Sequence, residues 1–246
     1  MTNVSIISFF TSLSLFGSIV NCLGVIFGSL CGLAVKRFIG ASAESGAISR
    51  VSDTLMKGVA LCVMLIGIMG AIKTENIIIV ILSIVIGGVI GEMCDLQSRI
   101  EKLGDLLERK TKGRFGSITQ GFVSASLLFC VGAMAIVGSL NSGLLHDHSM
   151  LYTKSLIDMI SAFVFATTLG FGVMLSAFLV LIYQGTITLL ASFLAPLLTE
   201  MAINEMTAVG SLLILGLSLN MLQITKIKVM NYVPAVFIAL FICLIL

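Results

Sequence analysis

From residue 14 to residue 35 the chain reads SLFGSIVNCLGVIFGSLCGLAV, without a single formal charge. A helix that crosses a bilayer needs about 20 mainly apolar residues, and this stretch supplies them. At 3.6 residues per turn, Gly17, Asn21, Gly24, Gly28 and Gly32 fall on one face. Small residues on one face let helix backbones approach each other in lipid, where no hydrophobic force drives association. The stretch therefore reads as a spanning helix with a packing face. Apolar residues extend from about Val4 to Val35, and the first basic residue is Lys36. A signal peptide carries its positive region first and has a shorter apolar core, so this helix is expected to be retained.

The same pattern recurs along the chain. Hydrophobic residues make up 58% of the sequence and charged residues 11%. A soluble domain carries about 25% charged residues, so an ordinary water-facing surface cannot be assembled here. Further spans are predicted at 55–72, 77–94, 120–140, 156–182, 206–224 and 230–246. Between them, Gly185 to Thr199 is a short apolar stretch containing Pro196, which either crosses or dips in and returns. The expected fold class is all-α: one polytopic membrane domain over 1–246, with seven or eight spanning helices and one short or broken helix. Its first partner is the lipid bilayer. A net charge of +2 is too small to suggest a nucleic-acid partner, and none is expected.

Charge placement orients the chain. If 185–199 crosses, Lys36, Arg37, Arg50, Lys57, Arg99, Lys102, Arg109, Lys110, Lys112, Arg114, Lys226 and Lys228 share one side. Only Lys73 and Lys154 stand opposite. The positive-inside rule then places both termini outside. The largest loop, 95–118, lies inside. Its Leu96, Ile100, Leu103 and Leu107 recur at helical spacing, as in an amphipathic helix on the membrane surface.

Internal register matches are faint. Gly58, Leu61, Leu65 and Ile72 align with Gly210, Leu213, Leu217 and Ile224, on segments that run oppositely in the eight-helix arrangement. Inverted repeats of secondary transporters have this relation. Other polar-dotted faces are Gly121, Ser124, Gly132, Ala135 and Ser139 on one segment, and Asp158, Ser161, Thr168, Gly172 and Ser176 on another.

Charges and polar groups at membrane depth are expensive and mark function first. The candidate path or solute-binding residues are Asn21, Glu92, Ser124, Asp158, Ser161, Thr168, Ser176, Gln184 and Thr186. Lys154, four residues before Asp158, can pair with it within one helix turn. Tyr183-Gln184-Gly185-Thr186-Ile187-Thr188 is expected to break a helix, because interrupted segments point to midplane binding sites.

Other chemistry finds little support. Six cysteines lie in or beside apolar stretches without C-x-x-C spacing, and His146 and His148 are the only histidines. No zinc-protease, P-loop, nucleophile-elbow or dinucleotide motif occurs. The expectation is no enzyme, no cofactor and no metal. The leading function is a small transporter or channel for an ion or small solute, assembled as a homo-oligomer. The alternative is a membrane scaffold or regulator whose partners dock on 95–118.

Several blocks together resemble a known family. They are FGSIVN from Phe16 to Asn21, Gly91-Glu92 with Asp95, and GFVSASLLFCVGAMAIVGSL from Gly121 to Leu140. Asp147-His148-Ser149, Lys154 to Asp158, Tyr183-Gln184-Gly185, and Lys226 to Lys228 with Asn231 and Pro234 continue the series. The chain resembles the YdfK/YqgA-like bacterial multi-pass membrane proteins from about Phe16 onward, which leaves 1–15 as an N-terminal extension. The resemblance implies the bacterial cytoplasmic (inner) membrane. It implies no activity.

Overall fold

A computed structural model describes residues 13–42, 45–102 and 118–245. In chain order the described residues form α1 Phe16–Ser42, α2 Ser45–Ala71, α3 Ile77–Met93, α4 Ile118–Cys130, α5 Ala133–Leu145, α6 Ser149–Leu169, α7 Gly172–Leu189, α8 Ala191–Leu194, α9 Glu200–Met221 and α10 Pro234–Ile245, with a further short helical segment after α3. A 3-10 turn, Val229–Tyr232, leads into α10. Five helices are long and apolar enough to cross a bilayer, and up to seven spans result if each bent pair counts as one. Val229–Ile245 adds a shorter apolar helix. The protein is an all-α polytopic membrane bundle.

Glycine contacts fix the direction of each helix. Cβ positions built on Gly17, Gly24, Gly28 and Gly32 meet Leu151, Ser155, Met159 and Phe163 in that order, so α1 and α6 run parallel in near-constant register. Gly67 meets Leu215 and Gly70 meets Ser211, so α2 and α9 are antiparallel. Gly87 against Ala235 and Gly91 against Asn231 make α3 and α10 antiparallel as well. Gly121 lies against Val173 and Gly143 against Thr188, so the α4–α5 pair runs parallel to α7. Thr119, Gln120, Asn220 and Gln97 line one vestibule, which places the starts of α4 and the ends of α9 and α3 together. The chain therefore traverses the bundle eight times. Phe16 and Ile245 lie at one end. Lys36, Arg99, Lys226 and Lys228 gather at the other, as the charge asymmetry requires. The segments aligned in register, now α2 and α9, do run oppositely.

Three boundaries differ from expectation. The span drawn at 120–140 is two helices, α4 and α5, bent by 62° at Val131-Gly132. Gly132 has φ 131°, a conformation that side chains rarely adopt, and only glycine passes through it cheaply. The single helix drawn at 156–182 is two spans, α6 and α7, joined through Gly170 at φ 77°. The break expected around Gly185 is absent. α7 runs unbroken through it to Leu189, and of 185–199 only Ala191–Leu194 forms a separate, four-residue helix. A glycine in an apolar segment serves close packing as readily as breaking, and Gly185 lies inside a continuous helix. Its neighbour here is Leu15 at 3.5 Å.

Of the inner loop, Leu96–Lys102 is helical and bent by 52° from α3. Leu103, Leu107 and the rest of the amphipathic pattern to residue 117 lie outside the described residues, as do 1–12 of the extension.

Candidate functional site

Asp158 is the tenth residue of the 21-residue α6, about 14 Å from its start at 1.5 Å per residue. It thus sits near mid-depth, deeper than a helix beginning at 156 implies. Lys154 Nζ donates to both carboxylate oxygens, at 2.9 Å to Oδ1 and 2.7 Å to Oδ2. Asn21 Nδ2, from α1, donates to Oδ2 at 3.0 Å. Relative exposure is 7% for Lys154, 4% for Asp158 and 0% for Asn21. The close parallel packing of α1 on α6 makes this geometry: Gly24 lets Ser155 come within reach, and the Ser155 hydroxyl donates to the Val20 carbonyl at 3.1 Å. Sequence spacing identifies the Lys154–Asp158 pair. It does not identify Asn21 as its third member, because that contact bridges 137 residues.

Several buried polar atoms of the bundle lack hydrogen-bond partners. They include Asn21 Oδ1, Ser18 Oγ, both amide atoms of Gln184, and the hydroxyls of Ser124, Ser126 and Thr207. Each such atom away from water costs roughly 1–3 kcal/mol unless a water or ligand meets it. Cys130, at the α4–α5 break, lies within the electrostatic fields of Lys154 and Asp158. A cavity of about 240 Å³ opens at that break, lined by Ser126, Cys130, Gly132, Tyr183, Thr207 and apolar neighbours. At the basic end a polar vestibule of about 520 Å³ reaches Ser124.

The remaining predicted residues fall in different places. Thr168 and Ser176 are buried, and each hydroxyl donates to a carbonyl of its own helix, Phe165 and Val173. Ser161 is half-buried, and Thr186 is exposed on α7. Glu92 belongs to a clamp at the basic end. It binds Lys228 at 2.6 Å and Asn231 at 2.5 Å, while Asn231 Oδ1 accepts the Gln97 amide at 2.7 Å. That bond to Glu92 holds the Lys228 ammonium above its usual range.

Two polar groups gain roles that spacing did not indicate. Glu205, fully buried, accepts from Thr74 Oγ1 at 2.7 Å and from the amides of Glu75 and Asn76 at 2.7 and 2.9 Å. It thereby caps the start of α3 from another helix. His148, buried beneath α5, bonds the Ser142 hydroxyl at 2.7 Å, and that hydroxyl donates to the Ser14 carbonyl. Beside it, the Ser149 hydroxyl and amide hold the Asp147 carboxyl below its usual range. No group of three or more His, Cys, Asp or Glu side chains is placed to hold a metal among the described residues.

Comparison with known proteins gives relatives but no chemistry. A family model described as "Protein of unknown function (DUF554)" matches residues 16–244. The uncharacterized membrane protein YdfK of Bacillus subtilis (strain 168) is 31% identical over 228 residues, 91% of this chain and 93% of its own length. The uncharacterized protein YqgA of Escherichia coli (strain K12) is 30% identical over 229 residues, 91% and 94% of the two chains. No solved structure matches.

Proposed function

The chain belongs to the DUF554 family, and from that premise we propose that it carries an ion or small solute across the bacterial cytoplasmic membrane. One observation supports this most: the Lys154–Asp158–Asn21 constellation at mid-depth, in which Asn21 Oδ1 is left buried without a partner. A buried ion pair is a weak source of stability, because desolvating both charges offsets most of their attraction. Charges kept in a spanning helix at that cost belong to a pathway or binding site by default. The bend beside Cys130 agrees, since broken helices shape midplane sites in transporters. Ser124 fits the end of an access vestibule, and Gln184 offers a buried amide with both donor and acceptor free.

Purified protein in liposomes should pass an ion or small solute faster than empty vesicles. Asp158→Asn alone leaves Lys154 charged and unpaired in the interior, which costs roughly 3–5 kcal/mol. The double change Asp158→Asn with Lys154→Met restores neutrality and keeps the fold measurable. Flux should vanish in the well-folded double variant. Wild-type flux there would reduce the pair to a structural contact, and equal leakage from empty vesicles would remove the transport reading.

A further inference from the structure

Independently of the transport reading, we propose that the cavity at the α4–α5 break binds one small neutral molecule from the bilayer, with an apolar body and a single acceptor oxygen. The cavity holds about 240 Å³, and its walls include Leu127, Ile136, Met206 and Val233. An apolar body fits such walls better than water, which needs two to four polar partners around it. An apolar cavity of roughly 150 Å³ takes up benzene, so this one has room for on the order of ten non-hydrogen atoms. Leu179 and Phe237 also line it, and they are 38% and 51% exposed on the outside of the bundle. The way in therefore runs from the side, through the layer that lipid chains occupy.

Two polar residues interrupt the apolar walls. Ser126 of α4 and Thr207 of α9 line the cavity, each is 6% exposed, and neither hydroxyl has a partner. Thr207 lies about 10 Å along α9 from its start at Glu200, at the depth of the lipid chains. A serine or threonine within a helix can return its proton to a carbonyl one turn back, as Ser139, Thr168, Ser176 and Ser218 do here. Ser126 and Thr207 do not.

Gly132, at the start of α5, lines the same cavity. No side chain caps that start, and the Gly132 N–H meets no carbonyl. The first N–H groups of a helix are donors without a partner inside it, and they carry partial positive charge. Hydroxyl protons and helix N–H groups around one cavity call for an acceptor. A ketone or alcohol oxygen supplies one without carrying a full charge into the apolar layer. No Lys or Arg among the described residues lines the cavity to balance a carboxylate. A lipid chain would bring only CH₂ groups and leave every one of these donors unmet.

Tritiated 2-nonanone is equilibrated by dialysis between detergent micelles with and without the full-length protein. The protein side should hold a saturable excess that approaches one molecule per chain. Unlabelled 2-nonanone should displace it, and nonane at the same mole fraction in the micelle should do so roughly tenfold less well. Ser126→Ala combined with Thr207→Val removes both hydroxyls and nearly keeps the shape. Neither hydroxyl has a partner to lose, so the thermal midpoint should hold or rise while ketone affinity falls roughly tenfold. Absence of a saturable excess in the wild type overturns the proposal. Displacement by nonane as effective as by the ketone also overturns it, and makes the cavity a seat for lipid chains. Wild-type affinity in the double variant does the same, and the comparison of ketone with alkane on the wild type decides the matter if that variant does not fold.

Discussion

At the residue scale, glycine decides how closely α1 can approach α6. A Cβ on Gly28 would sit 2.1 Å from the Met159 carbonyl oxygen, which is backbone and cannot swing aside. Gly28→Ala should therefore destabilise the bundle by about 1–3 kcal/mol and separate Asn21 from Asp158. Gly58 has no atom within 4 Å of its built Cβ. Gly58→Ala should leave stability unchanged or raise it by about 0.5–1 kcal/mol through helix propensity. Thermal midpoints of the two variants in one detergent compare them, and equal midpoints would contradict the packing account. Both residues look alike as letters in an apolar segment. The difference lies in the neighbour across the gap, 131 positions away for Gly28, which local periodicity does not carry.

At the element scale, the start of α3 depends on a side chain from α9. The first N–H groups of a helix have no partner within it and carry partial positive charge. Asn76 satisfies one, its side-chain oxygen accepting from the Ile78 N–H, and the Glu205 carboxylate accepts from two amides just before the helix and from Thr74. Glu205→Gln keeps the shape but turns one acceptor into a donor facing other donors. It should cost about 1–3 kcal/mol, read as a lowered thermal midpoint. An unchanged midpoint would show that the cap contributes nothing. The burial of Glu205 is not legible in the sequence, because an acid near a segment end more often reaches water. The same limit explains the misplaced breaks. Gly132, Gly170 and Gly185 are one residue type in similar apolar company, and only the backbone angles separate a bend, a turn and an unbroken helix.

At the scale of the whole molecule, eight traverses bring both described ends to one face, opposite the basic loops. Single cysteines introduced near Phe16 and near Ile245 on a thiol-free background should label from the same side of intact cells. A cysteine at 99 or 226 should label only after the membrane is opened, and labelling of the two ends from opposite sides would refute the traverse count. The class, and the collection of most basic residues at one end, follow from the sequence alone, because apolar length and the placement of Lys and Arg are local properties that each segment carries by itself; the division of 156–199 into spans does not. The pairing of Lys154 with Asp158 is equally local, being one helical turn. The third member of the site, the depth of the pair, the site of the helix break and the cap on α3 belong to the tertiary structure. Each arises where segments distant in sequence meet, and a packed interface selects among many equivalent small and polar residues by shape and hydrogen bonding that no single segment contains.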